Sequence, residues 1–166
     1  MRRKDWWWLL VYPLYQLLGT LRHEASHALV AWRQGFQVTA FVFWPTRGYW
    51  GYVAWDGPLT VATLAAPYVC DLLTFLLFLA VCMRIRFRRR WLWLNVSILG
   101  LVSPLVNSFY NYWRGLRCAN DVGRLLQRVP PQLVHGYFGL TLGLYCVGIV
   151  LVFTLSKTAR GDRQDV

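Results

Sequence analysis

Charge is scarce in this sequence. Only 15% of its 166 residues are charged, where a soluble domain carries about a quarter, so much of the surface is expected to meet lipid. The four cysteines, Cys70, Cys82, Cys118 and Cys146, include no Cys-x-x-Cys pair, which removes a disulfide framework and a thiolate metal site from the readings. No small-x-small cleavage signal closes the apolar run after the basic N-terminus, so that run is expected to stay as a helix. The polar basic stripe that follows a nucleic-acid backbone is missing as well. The net charge is +11, but the basic residues gather at the ends of apolar segments: Arg2, Arg3 and Lys4 before the first, and Arg84, Arg86, Arg88, Arg89 and Arg90 between two others. That placement suits anionic lipid headgroups and argues against nucleic acid.

What the sequence holds in abundance is apolar and aromatic: 57% hydrophobic residues, with ten Trp, nine Tyr and nine Phe. The expected fold class is an all-α polytopic membrane protein, a single membrane-embedded domain over 1–166 with about four transmembrane helices and a small β-hairpin between the first and second. The first helix runs from Trp6 to Arg33. Its apolar run to Leu21 continues through Ala25, Ala28, Leu29, Val30 and Ala31 until Gln34-Gly35 stops it, and Pro13 is tolerated as a bend. The second spans Pro58 to Met83, interrupted by Pro67 and carrying Asp71. The third spans Trp91 to Trp113, with Gly100, Ser103 and Pro104 predicting a kink near its middle. The fourth runs from Leu133 to Leu155, and its Gly139 and Gly143 form a small-x-x-x-small pair suited to close helix packing.

Between the first two helices, 36–54 is rich in β-branched and aromatic residues around the turn Pro45-Thr46-Arg47-Gly48 and reads as a hairpin at the membrane surface. Ala119 to Arg128 reads as a short helix stopped before Pro130-Pro131. Trp44, Trp50, Trp55, Trp91, Trp93 and Trp113 read as interface anchors. Four crossings put both termini on one side. Lys and Arg of the N-terminus, the 84–90 loop and the tail (Lys157, Arg160, Arg163) outnumber Arg22, Arg33, Arg47, Arg114, Arg117, Arg124 and Arg128 on the other, which predicts cytoplasmic termini. The same topology brings the end of the first helix and the Asn107 to Arg128 region to one side.

His23-Glu24-Ala25-Ser26-His27 lies inside the first apolar stretch, and ionisable groups at that depth are costly unless something uses them. On a helix the two histidines project from one face, near enough to reach one ion. Glu24 lies beside them, as a general base for an attacking water. The spacing is that of the H-E-x-x-H metalloprotease motif, and imidazoles with an oxygen ligand suit Zn²⁺. A third ligand must come from elsewhere. Asp121 is preferred, because it is on the correct side and Asn120-Asp121-Val122-Gly123 reads as a turn or helix start. Its competing role is to cap the helix that follows. Asp71 and His135 are the other candidates. Asp71 reads better as an arginine's partner or an internal hydrogen-bond acceptor, and His135 as an interfacial residue.

These residues resemble the site-2 protease family of intramembrane zinc metalloproteases, as a compact, divergent member. In that family an H-E-x-x-H helix is followed by a later helix bearing an asparagine and a proline before Asp-Gly. Here Asn107 is similar to the asparagine, Asp121 to the ligating aspartate, and Val122-Gly123-Arg124-Leu125-Leu126 to the residues after it. Val122 precedes the glycine and no proline stands between asparagine and aspartate. Ala66-Pro67 resembles the small-Pro element of the preceding core helix, so the resemblance covers Leu21 to Leu126.

The resemblance implies Zn²⁺ held by His23, His27 and Asp121, with Glu24 catalytic and Asn107 at the substrate or oxyanion. An ordinary helix-to-helix hydrogen bond is the other account of Asn107. It also implies cleavage of a peptide bond in or near a transmembrane segment of a partner, a single-span or polytopic membrane protein. A spanning helix hides its peptide bonds, so the substrate must unwind locally. The Gln37 to Trp44 edge can receive it as an added strand, or the hairpin simply covers the bundle. Anionic lipid headgroups and partner subunits are the other expected partners, and nucleic acid is not. No PDZ-like domain fits in this length, which leaves recognition to the membrane face, the hairpin or a separate partner. The competing function is a non-catalytic, protease-like assembly factor or structural subunit of a membrane complex. A small transporter is weaker, since one localised ligand cluster offers no translocation path.

Overall fold

The computed structural model describes residues 11–46, 50–85, 87 and 89–161. The expected helix start at 6–10, the N-terminal basic cluster, the hairpin turn at 47–49, and Arg86, Arg88 and Arg163 lie outside the described residues. The chain is a mostly helical, multi-spanning membrane protein with one small antiparallel hairpin. Its elements are α1 (Tyr12–Arg33), β1 (Val38–Val42), β2 (Tyr52–Trp55), α2 (Val61–Arg84), α3 (Arg90–Gly115), α4 (Asp121–Arg128) and α5 (Pro131–Gly161).

Three helices among the described residues, not four, are long and apolar enough to cross a membrane: α2, α3 and the Pro131–Leu155 part of α5. At 24 to 26 residues each, they are about 36–39 Å long at a rise of about 1.5 Å per residue. α1 falls short because its second half carries Arg22, His23, Glu24, His27 and Arg33. Leucines and valines of α2 and α5, among them Leu73, Leu77, Leu140 and Val150, are exposed, as lipid-facing side chains should be. A methyl added at Gly139 or Gly143 meets nothing within 4 Å, so the expected packing through this pair is not formed among the described residues.

α2 is the central helix. Leu64 and Tyr68 of α2 pack with Val122 and Leu125 of α4 and with Val134 and Phe138 of α5 in one buried cluster. One end further along, Phe75 packs with Leu101 of α3 and with Tyr145 and Val152 of α5. α2 starts in a capping box, the Thr60 hydroxyl accepting from the Thr63 amide while the Thr63 hydroxyl accepts from the Thr60 amide. The irregularity expected near Gly100 and Pro104 is a π turn over Ile98–Val102. Pro104 follows in the first turn of the next α segment, where a missing N–H is tolerated.

α1 ends at Gln34-Gly35 as the sequence requires, the amides of Gly35 and Phe36 bonding back to the carbonyls of Trp32 and Ala31. The strands are shorter than the expected 36–54 span, with Phe41 opposite Val53 and Val42 opposite Tyr52. The Gln37 amide donates to the Asp56 carboxylate at 2.7 Å and closes the open end. α4 is capped by Asn120, whose Oδ1 accepts from the Gly123 amide at 3.0 Å. Gly123 is required by close approach, because a Cβ there would lie 2.2 Å from the Cys118 carbonyl oxygen and push α4 off its seat.

A buried ion pair ties α1, α2 and α3 together. Arg22 Nη2 lies 2.6 Å from Asp71 Oδ1, and Asp71 is 1% exposed. Ser108 Oγ and Asn107 Nδ2 donate to the other carboxylate oxygen at 3.2 and 2.7 Å. Arg22 also reaches the Leu99 carbonyl in the π turn and Ser103 Oγ. Removing one partner of such a pair strands the other charge, whereas replacing both with apolar groups of similar volume is often tolerated. Asp71→Ala is therefore expected to lower stability by about 3–5 kcal/mol, read as the shift in unfolding midpoint in detergent. Arg22→Met/Asp71→Leu should recover most of that loss, and a double variant as unstable as the single one would contradict this account.

Candidate metal centre

Helical spacing puts His23 and His27 one turn apart on the buried face of α1. The first turn of α4 brings Asp121 to meet them. Asp121 Oδ2 lies 3.4 Å from His23 Nε2 and 3.2 Å from His27 Nε2, and one potential ligand atom from each of the three residues lies within 4.8 Å of the others. Two donors on a tetrahedral Zn²⁺ at about 2.0–2.1 Å stand about 3.3 Å apart. The nitrogen-to-oxygen separations thus fit the edges of one coordination tetrahedron.

His27 supplies the strongest electrostatic argument. Its Nδ1 lies 2.7 Å from the Thr63 carbonyl oxygen. A carbonyl only accepts, so Nδ1 carries the proton and the neutral ring presents a lone pair at Nε2. That lone pair faces a carboxylate oxygen at 3.2 Å, and two acceptors at that distance attract only through a shared cation, a proton or a metal ion. Burial pushes the Asp121 carboxyl up, but where a proton takes that shared place the hydrogen bonds and charge of the two imidazoles outweigh it and hold the group well below the usual carboxylate range. An anionic carboxylate between two imidazoles is a donor set that fits Zn²⁺.

The third residue is freed by its neighbour. The cap that Asp121 was open to supplying comes from Asn120, which leaves the Asp121 carboxylate to face the histidines. A ladder of amides fixes the start of α4. Asn120 Nδ2 donates to the Asn111 carbonyl at 2.8 Å, and Asn111 Nδ2 donates to both oxygens of Asn107 at 3.0 Å. Asn107 Nδ2 faces His23 Nδ1 at 3.2 Å.

Glu24 is buried and borders a cleft of about 490 Å³ together with His23, His27 and Asp121. The Asp121 side chain is 24% exposed, which gives water a route to the cluster. β2 and the residues before it form one wall through Trp50, Gly51, Tyr52, Val53 and Trp55, so the second strand lines the cleft and the expected Gln37 to Trp44 edge does not. Gly51 lets this wall lie against α1: a Cβ there would stand 2.6 Å from Thr20 Cγ2 and 3.2 Å from Glu24 Cγ. Trp55, expected as an interface anchor, stacks on His27 with ring centroids 6.3 Å apart. Trp93 packs on Phe153, while Trp44, Trp50, Trp91 and Trp113 are half exposed.

The structure brings together His23, Glu24, His27, Asn107 and Asp121, and leaves the two other ligand candidates out of the cluster. Asp71 is taken by Arg22, Asn107 and Ser108. His135 is exposed and bonds through Nδ1 to the Tyr112 hydroxyl at 2.9 Å. Sequence reasoning did not find Thr63, which acts through its backbone carbonyl and carries no side-chain signal. It also missed Asn111 as Asn107's partner, although the spacing of four on one helix face was there to read.

Comparison with protein-family models, with curated proteins and with solved structures finds no match to the chain. The donor set makes its own prediction. Protein purified without chelator should hold about one Zn²⁺ per chain by elemental analysis, and His23→Ala, His27→Ala or Asp121→Ala should each lose it. Asp121→Ala at full occupancy would remove Asp121 from the ligand set.

Proposed function

We propose that this protein is an intramembrane zinc metalloendopeptidase, similar to the site-2 protease family, that cleaves a peptide bond in or near a transmembrane segment of a partner membrane protein. One observation carries the reading: two imidazoles and a carboxylate from α1 and α4 converge to within 4.8 Å beside a glutamate in the same cleft. α1 supplies a fourth crossing in this reading, and the termini lie in the cytoplasm.

His23, His27 and Asp121 would hold the ion. Bound Zn²⁺ supplies a Lewis acid that acidifies water and polarises a carbonyl. Glu24 accepts the proton of the attacking water and returns it to the leaving amine. Asn107 borders the cleft beside His23, and its part in this reading is at the substrate or oxyanion. A substrate segment must unwind before its carbonyl can reach the cleft, and the wall formed by residues 50–55 offers backbone groups to an extended chain.

A second reading, a structural or assembly subunit, is favoured by one feature. Gly139 and Gly143 on α5 face open space, which suits a partner helix. The two readings part at Glu24. Glu24→Gln should retain zinc and lose cleavage of a co-expressed single-span substrate by about 100-fold or more. Zinc-loaded wild-type protein that hydrolyses no membrane substrate would favour the subunit.

A further inference from the structure

The cations around the cleft divide into two groups. Arg22 is paired with Asp71, Arg117 lies over the Trp113 ring at 4.6 Å, and Arg128 donates to the Leu59 carbonyl. Arg114 and Arg124 line the cleft itself, and neither forms an ion pair among the described residues. Arg114 is held at the wall by a 2.9 Å hydrogen bond from its Nη1 to the Tyr110 hydroxyl, four residues back. Arg124 stands three residues after Asp121 on α4, the spacing that makes helix side chains neighbours.

The charge balance of the cleft follows. Its acids are Glu24 and Asp121, and a divalent cation in the cluster would offset both of them. The two guanidiniums, on exposed residues at the wall of the cleft, are then its uncompensated charge and can steer an anionic segment toward it. The other polar lining residues, such as Gln16, Asn111 and Asn120, are neutral and do not discharge it. A guanidinium presents a planar fork of donors that matches a carboxylate.

We propose that Arg114 and Arg124 are specificity residues that recognise a carboxylate on the substrate chain close to the bond presented to the metal centre. The ligand class is an acidic peptide segment, its carboxylate coming either from an Asp or Glu side chain or from a free chain end. A lipid headgroup fits less well, because these arginines share a cleft with the catalytic cluster. The inference rests on the peptidase reading for its meaning, but it is read by binding and not by turnover.

The test uses the zinc-loaded Glu24→Gln full chain in phosphatidylcholine nanodiscs, which carry no net lipid charge, and four fluorescent peptides of one apolar sequence. One carries an internal Glu and an amidated end, one an internal Gln and a free carboxylate end, one an internal Gln and an amidated end, and one an internal Lys and an amidated end. At least one carboxylate peptide should bind about tenfold more tightly than the neutral one, with the Lys peptide weakest, and which of the two does so identifies the source. Arg124→Glu should remove the preference and favour Lys. Equal affinity for the carboxylate and neutral peptides on the parent protein, or no measurable binding of any peptide, overturns the proposal. A carboxylate preference in a chain whose Glu24 form cleaves nothing would uphold the cleft assignment and sink the peptidase reading.

Discussion

Two imidazoles aimed at one carboxylate oxygen set the terms for the rest of this molecule. With Nδ1 of His27 committed to the Thr63 carbonyl, its other nitrogen meets Asp121 as acceptor against acceptor, and only a cation makes that contact attractive. The surrounding polar groups serve that meeting. Asn120 caps α4, the amide ladder from Asn107 through Asn111 ties α4 to α3, and the Arg22–Asp71 pair joins α1 to α2 and α3. Each link is buried or half-buried, where an unpaired polar group is costly, so the network holds as a unit.

The membrane explains why these polar groups are gathered. In hydrocarbon every backbone and side-chain polar group must find a partner within the protein. α2 and α5 largely meet this by exposing Leu73, Leu77, Leu140 and Val150 outward and turning Asp71 and Thr141 inward, with the buried Tyr68 hydroxyl, which has no hydrogen-bond partner among the described residues, as an exception. α1 does not meet it alone. Its polar second half is tolerable because α2, α3, the hairpin and Asp121 of α4 cover its buried face, and the cleft at Glu24 opens beside them.

Much of this was legible in residue order. The H-E-x-x-H spacing, the apolar lengths of α2, α3 and α5, the stop at Gln34-Gly35 and the short helix before Pro130-Pro131 are local signals, and each appears where local chemistry put it. The preference for Asp121 as the third member of the cluster rested on topology, and the structure brings the residue there. Adjacent Asn120 and Asp121 are both good caps, so sequence alone had no means to assign the cap to one and free the other. The π turn before Pro104, the stacking of Trp55 on His27 and the choice of β2 as the cleft wall depend on contacts far apart in the chain. Gly139 and Gly143 have the spacing of a helix contact, but spacing does not name the partner, and none lies among the described residues.

Zinc K-edge X-ray absorption on the purified wild-type protein tests the central claim most directly. Two imidazole nitrogens with oxygen ligands at about 2.0–2.2 Å and no sulfur is the expected spectrum. A sulfur scatterer near 2.3 Å, which would implicate Cys118 in the same cleft, or no bound zinc to observe, would contradict it.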